Sequence, residues 1–502
     1  MKQKIQESET IDLRPILERF ENAKNRRSMW ESHWEECYEY ALPQRGQASH
    51  FGGIGSTRNA TLYDATALDA VDQLAASLLA NLTPPWANWF GFKPGPELSK
   101  DEAQNLKPIL ADITKKIQSH FDRSNFSVEM HQCFLDLAVS GTATLMFEEN
   151  SVGSLSAFKF SSVPLQNIIL EENESGFLQG AFRLLSLNLR QIQERYENAV
   201  LPLSILREGH KDQAQEFKIL ETILPDGNRT QYQAIYIDDA EPQLLHEGVF
   251  TKSPVIAFRW MKSPGEIYGR SPVMKALPDI KTANKVVELI LKNASIAVTG
   301  IWQADDDGVL NPANIELKPG TIIPKAVGSN GLKPLEMPGR FDVSELVLKD
   351  LRARIRNALL VDKLGPIAGP KMSATEVMER SNDMAMLLGA TYGRLQTELL
   401  TPLIERAFSI LKRRGEIPDI ALDGRYIALD YRSPMAKAQG QRDVQNILAW
   451  LDGVKAMGAE AALSVDTTKA VEMMAEALSV PTELIKNPLA NIVNELSDIE
   501  GA

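Results

Sequence analysis

The 502-residue sequence predicts an α+β fold that is mainly helical. Three observations carry that expectation. Helical apolar periodicity runs through most of residues 11–140. Short alternating runs with turn signals occupy residues 142–260. Two long helix signals, each apolar on one side and basic on the other, then flank an insertion punctuated by Gly and Pro. At about 150 residues per domain, the length corresponds to about three structural units. Hydrophobic residues are 44% and charged residues 24%, ordinary globular usage with ample apolar mass for a core.

Residues 11–41 read as a helix with Leu13, Ile16, Leu17, Phe20, Trp30, Trp34 and Tyr38. The last three step by four residues, which puts an aromatic stripe on one face for packing against the body. Pro43 ends the element. Thr66–Leu82 is a second apolar helix, stopped by Thr83-Pro84-Pro85. The aromatic patch Trp86, Trp89, Phe90 and Phe92 follows, read as a loop locked into a core, with partner contact as the alternative. Asp101–Phe121 and Ser127–Ser140 are further amphipathic helices. Thr142–Glu148 alternates as a strand. Glu216–Leu224 and Thr230–Asp238 form a hairpin around Pro225-Asp226-Gly227-Asn228, and Val255–Trp260 is another strand.

Pro272–Val298 reads as one long helix. Ala283, Val287, Ile290, Ala294 and Ala297 form its apolar stripe, and Lys281, Lys285 and Lys292 lie opposite within about 40°. Residues 299–340 are a small β-rich insertion. Phe341–Leu360 is the second helix, with the apolar stripe Val347, Leu351, Ile355 and Leu359. Its basic stripe, Lys349, Arg352 and Arg356, is about 60° wide. Lys363–Lys371 carries two Gly-Pro punctuations and reads as a loop. Ser373 and Glu376 make a capping box for a helix over residues 374–414. Ile427–Tyr431 is a short strand, and residues 435–502 are helical and rich in Ala and Met.

Net charge is −12, which argues against a protein that clamps nucleic acid over its whole surface. Cys37 and Cys133, far apart in sequence, allow one intramolecular bridge, but two thiols in a large chain fit a reducing cytoplasm better, and they read as two inert buried thiols. The polar N-terminus has no secretion signal, and no apolar stretch reaches the roughly 20 residues a membrane span needs. The sequence lacks G-x-x-x-x-G-K-[ST], H-E-x-x-H, C-x-x-C and G-x-S-x-G. Gly52–Thr57 is glycine-rich but has no following Lys, so a surface loop is the better reading. The six histidines lie at no metal-ligand spacing on one helix. Asp305-Asp306-Asp307, followed by Gly308, reads as a solvated acidic turn rather than a metal site. No enzyme, metal or cofactor is expected.

Several segments, in order, resemble the portal, or head-to-tail connector, proteins of short-tailed bacteriophages. They are Trp30–Pro43 with its W-x3-W and Y-A-L-P, Leu62–Phe90, Gly141–Glu149, Phe258–Val273 with its Y-G-R-S, and Ser373–Arg380. No single motif is highly specific; their order and spacing are. The resemblance implies the portal fold: wing, stem, clip and crown, arranged as a cyclic ring around a central channel. Residues 1–271 with 373–433 map to the wing and 272–298 and 341–360 to the two stem helices. Residues 299–340 map to the clip, 361–372 to the tunnel loop and 434–502 to a short helical crown.

The resemblance also implies a homo-dodecamer at one capsid vertex through which double-stranded DNA passes. Its partners would be the terminase motor, the major capsid protein, a scaffolding protein and a tail adaptor, with no membrane. On this mapping Lys349, Arg352, Arg356, Lys363 and Lys371 are candidates for facing the DNA, and Gly365 and Gly369 for hinges of the loop. Ion pairs to Asp350 or Glu345 are the alternative for the stripe. Trp302 and Asp305, Asp306 and Asp307 fall in the clip as candidates for partner docking, with packing the alternative for Trp302. Twelve copies carry about −144 in formal charge, which suits a conduit that repels its cargo. The rival readings are a structural adaptor or scaffold without a channel, a packaging ATPase, against which the missing P-loop speaks, and a basic DNA-binding module, against which the net charge speaks.

Overall fold

In the computed structural model, the residues described are 12–45, 62–85, 87–196, 199–238, 242–299, 302–303, 333–334, 341–361, 389, 391–420, 422, 424–431, 434–458 and 465–477. Helix α1, Arg14–Ala41, starts with Pro15 in its first turn, where a missing N–H costs nothing. Its last two turns bury Trp34, Cys37, Tyr38 and Ala41. Helix α2, Thr66–Leu82, keeps the expected bounds and buries Ala67, Ala70, Val71, Leu74, Ala75, Leu78 and Leu82. Helix α3, Lys100–Asp122, begins with a reciprocal capping box between Ser99 and Glu102. Helix α4, Phe126–Ser140, stops at Gly141 in the left-handed region, φ 77°.

The strands form antiparallel pairs throughout. Strand β1, Phe90–Pro94, pairs with β12, Ile427–Tyr431, from the far end of the chain. Strand β2, Thr142–Glu149, lies between β3, Phe158–Ser162, and β9, Val255–Arg259. A five-stranded sheet runs in the order β4, Ile168–Glu172; β5, Leu178–Asn188; β6, Glu216–Asp226; β7, Arg229–Tyr236; and β8, Gln243–Phe250. The β6–β7 turn holds Gly227 at φ 54°, as the hairpin signal requires.

The alternation of side chains along this sheet serves two cores. Ile169, Phe182, Leu220, Leu224 and Ile235 pack on Phe20 and Ala23 of α1. Leu170, Ala181, Ile219, Ile223, Tyr232 and Ala234 join the main core instead. Helices α5, Leu189–Arg195, and α6, Leu203–Lys211, contribute Ile192 and Ile205 to that main core. Trp89, Phe90 and Phe92 are also buried there, so this part of the aromatic patch is core; Trp86 lies outside the described residues.

Helix α7 spans Pro272–Thr299 and helix α8 Phe341–Ala358. The buried arc of α8 is Leu348, Leu351 and Ile355, continued by Leu359 just past its end, whereas Val347, expected in the stripe, is 45% exposed. A series of i+4 steps drifts by about 40° per step, so over twelve residues its first member leaves the buried arc and Leu348 takes the place. Of the insertion between them, β10, Trp302–Gln303, pairs with β11, Lys333–Pro334. The expected helix over 374–414 is seen from residue 391 onward, and Ser373 and Glu376 lie outside the described residues. It is not one uninterrupted α-helix, because a π-turn at Gln396–Leu400 precedes the helix Thr401–Arg413. Two more helices, Pro434–Ala456 and Thr467–Ala477, follow β12.

Candidate functional site

The start of α7 collects three segments that are distant in sequence. Ser271 caps the helix by accepting from the Met274 N–H at 2.9 Å, and its hydroxyl donates to the Val139 carbonyl at 2.8 Å. Gly269 and Gly141 meet back to back; a β-carbon on either would fall closer than 3.0 Å to the other's carbonyl oxygen. The Gly269 N–H donates to Thr142 Oγ1 at 2.8 Å, and the Trp260 N–H donates to the Gly141 carbonyl at 2.9 Å. Tyr268 sets its ring edge-on to Trp34, centroids 4.9 Å apart, and its hydroxyl accepts from the Leu170 N–H at 3.2 Å. Burial pushes the Tyr268 hydroxyl up to about 12. The Arg270 guanidinium lies 4.7 Å from the Trp30 ring centroid. The W-x3-W, G-T-A-T and Y-G-R-S segments thus form a single junction.

A second junction ties both long helices to the chain preceding α2. Asn284 of α7 is buried, and its Oδ1 accepts the backbone N–H groups of Tyr63 at 2.6 Å and Asp64 at 3.1 Å. Asp64 in turn accepts the Thr66 N–H at 2.9 Å and receives Arg352 of α8 at 2.8 Å. Burial alone would raise the Asp64 carboxyl. The hydrogen bonds from Thr66 and Arg352 outweigh it and hold the carboxyl below its usual range. Arg354, near the end of α8, pairs with Asp279, near the start of α7, at 2.8 Å.

A third junction lies where β9 meets the π-turn. The Arg259 side chain is fully buried. It donates from Nη2 to Glu398 at 2.6 Å and to the Gly176 carbonyl at 2.8 Å, and from Nη1 to the Ile267 carbonyl at 3.0 Å. Glu398 also accepts the Arg259 backbone N–H at 2.9 Å. A buried pair of this kind stands only with its remaining donors and acceptors satisfied, and these partners do that.

The stripe residues Lys349, Arg352 and Arg356 are all exposed on α8, but Arg352 is committed to Asp64 rather than to Asp350 or Glu345. On α7, Lys281 pairs with Glu36, while Lys285 and Lys292 bracket Glu288 at 2.9 and 2.5 Å. Trp302 takes part in the short strand pair; its side chain, and Asp305, Asp306, Asp307, Lys363, Gly365, Gly369 and Lys371, lie outside the described residues. Among the described residues no group of three His, Cys, Asp or Glu side chains could hold a metal ion, and no helix is long and apolar enough to cross a membrane. Cys37 and Cys133 are both buried and unpaired in a disulfide. Sequence reasoning missed Asp64, Asn284, Arg259 and Glu398. Only Asp64 left a local signal, an Asx residue two positions before Thr66 at a helix start.

Comparison with known proteins agrees with the resemblance. The family model described as bacteriophage head to tail connecting protein matches residues 14–485. A probable portal protein of Bordetella phage BPP-1 is 24% identical, covering 99% of this chain and 93% of its own length. The portal protein of Salmonella phage epsilon15 is 24% identical, covering 94% of this chain and 88% of its own. That of Escherichia phage T7 is 22% identical, covering 80% and 75%. Among solved structures, a chain of the virion of a native gene transfer agent particle aligns over 87% of this chain and 98% of its own, at 12% identity and a TM-score of 0.39. With nearly the whole length matched, this chain belongs to the family of bacteriophage head-to-tail connecting proteins.

Proposed function

We propose that this connector acts as a dodecameric ring at one capsid vertex, with a channel through which double-stranded DNA is packaged and later ejected. The observation that supports it best is the convergence of the W-x3-W, G-T-A-T and Y-G-R-S segments at the start of α7. In this reading α7 and α8 are the stem, and the junctions fix their angle to the wing, residues 1–271 with 373–433. Residues 299–340 are assigned as the clip and 361–372 as the tunnel loop. The terminase motor docks on the clip and is later replaced by the tail adaptor. The major capsid protein and a scaffolding protein contact the wing, and residues 434–502 form the crown.

The charge pattern is consistent with a conduit. The chain is acidic overall, and the α7 stripe lysines Lys281, Lys285 and Lys292 are paired with two carboxylates, Glu36 and Glu288, so few strong phosphate contacts would slow the duplex. Lys349, Arg356, Lys363 and Lys371 are the cations assigned to the channel, with Arg352 partly neutralised by Asp64.

Light scattering and negative-stain imaging of the purified protein test the assembly. Twelve copies of the 55.7 kDa chain give a particle of about 670 kDa with twelvefold views and a central hole. A chain that stays monomeric or dimeric at high concentration would rule out the conduit and favour a non-channel adaptor.

A further inference from the structure

A cavity of about 50 Å³ lies beside α1, walled by Arg27, Glu31, Trp34, Tyr38, Arg45 and Asp136 among others. These groups satisfy one another only in part. Asp136 accepts from the Tyr38 hydroxyl at 3.0 Å and pairs with Arg45 at 2.5 Å. Arg27 donates to Glu31 Oε1 at 2.7 Å and to the carbonyls of Leu165 and Gln166 at 3.1 and 2.9 Å. Trp34 is 6% exposed, and its indole N–H has no hydrogen-bond partner within the protein. A buried donor in a folded protein is almost always paired, with protein or with ordered water.

We infer that this cavity is a hydration site, in which ordered water bridges the Trp34 indole N–H to the charged groups of the opposite wall. A water needs on the order of 10–15 Å³ of such volume and two to four polar partners, so the space suits about three. The wall chemistry selects water over the alternatives. Two guanidinium groups and three carboxylates, those of Glu31, Glu35 and Asp136, line the space and would lose hydration if an apolar molecule displaced water from them. A divalent cation would need several free carboxylate oxygens; both oxygens of Asp136 are taken by Tyr38 and Arg45 and Oε1 of Glu31 by Arg27, and the two guanidinium groups in the wall repel a further positive charge. The site would hold α1 to α4 directly behind the Trp34–Tyr268 contact, and it does not depend on ring assembly.

The test is a density map of the full chain, at a resolution that shows ordered water at other buried polar groups, for wild type and Trp34→Phe. The expected result is density about 2.7–3.2 Å from Trp34 Nε1 and also within hydrogen-bond distance of Glu31, Arg45 or Asp136. That density should be lost or displaced in Trp34→Phe while other buried waters stay. Three outcomes overturn the inference: no density there although other buried waters are seen, the indole N–H bonded directly to a protein oxygen, or a peak at about 2.3–2.6 Å from several oxygens, which marks a cation. The wild-type map decides by itself where Trp34→Phe does not fold.

Discussion

Gly141 and Gly269 touch backbone to backbone, with no room for a β-carbon on either. The first ends α4 and opens β2; the second lies two residues before the cap of α7. Gly141 also sits at φ 77°, where a β-carbon costs roughly 1–2 kcal/mol by itself. Gly141→Ala and Gly269→Ala are therefore expected to lower stability by about 2 kcal/mol or more, read as a fall in melting temperature. Gly153 is the control. It has φ 95° with nothing within 4 Å of the position of a β-carbon, so Gly153→Ala should show only the backbone cost. Equal effects at Gly153 and Gly141, which share the positive φ, would mean that the close approach does not matter.

Asp64 predicts an acid dependence. Its carboxyl is held below the ordinary value of 3.8, so the folded chain binds its proton less readily than the unfolded chain. That stability is fully present above about pH 4 and is lost as pH falls through the folded value. Asp64→Asn removes a charged hydrogen bond to an arginine that is 46% exposed, so the cost at neutral pH is about 1–2 kcal/mol. The gap between wild type and Asp64→Asn should close as thermal unfolding is followed from pH 7 to pH 3. A gap that stays constant would exclude the ion pair as its source.

The Arg259–Glu398 pair predicts a non-additive pair of substitutions. Glu398→Ala leaves a fully buried guanidinium without its main counter-charge, which costs about 3–5 kcal/mol. Removing both charges, as Arg259→Met with Glu398→Leu, should be much milder than the sum of the two single changes. A double-mutant cycle on thermal stability measures the coupling. Amide exchange over residues 391–413 should rise in Glu398→Ala ahead of the rest, because that segment is anchored to β9 through this pair.

Burial makes both thiols unreactive. It pushes the Cys37 thiol up to about 12 and raises Cys133 as well, so neither offers thiolate at pH 8. A disulfide reagent should label neither in the native protein within minutes, and both after denaturation. Rapid native labelling of one would show local opening of α1 or α4.

Much of this architecture was legible because it is local. Helices α2 and α7 and the β6–β7 hairpin each announce themselves by period, cap or turn. Helices α5 and α6 did not, being only seven and nine residues long, too short for a periodic pattern. The pairing of Phe90 with Tyr431 and the Asp64–Asn284–Arg352 junction join residues separated by hundreds of positions. No window of sequence contains both halves. The stripe on α8 was legible as a stripe, but its inner edge was misplaced at Val347 because a fixed four-residue step drifts on a helix of 3.6 residues per turn.

The same helix supplies the sharpest test of the channel reading. Arg352 and Lys349 belong to one basic stripe, yet only Arg352 is tied to the buried carboxylate of Asp64. Arg352→Gln should therefore cost stability, about 1 kcal/mol or more, because it leaves that carboxylate without its counter-charge. Lys349→Gln, at an exposed position, should change stability by less than about 0.5 kcal/mol. In packaging reactions with assembled particles the order should reverse. Lys349→Gln should alter DNA uptake or retention, and Arg352→Gln should act mainly through the yield of intact rings. If Lys349→Gln leaves packaging and retention unchanged while rings form normally, the stripe is a solvated outer face and the DNA lies elsewhere.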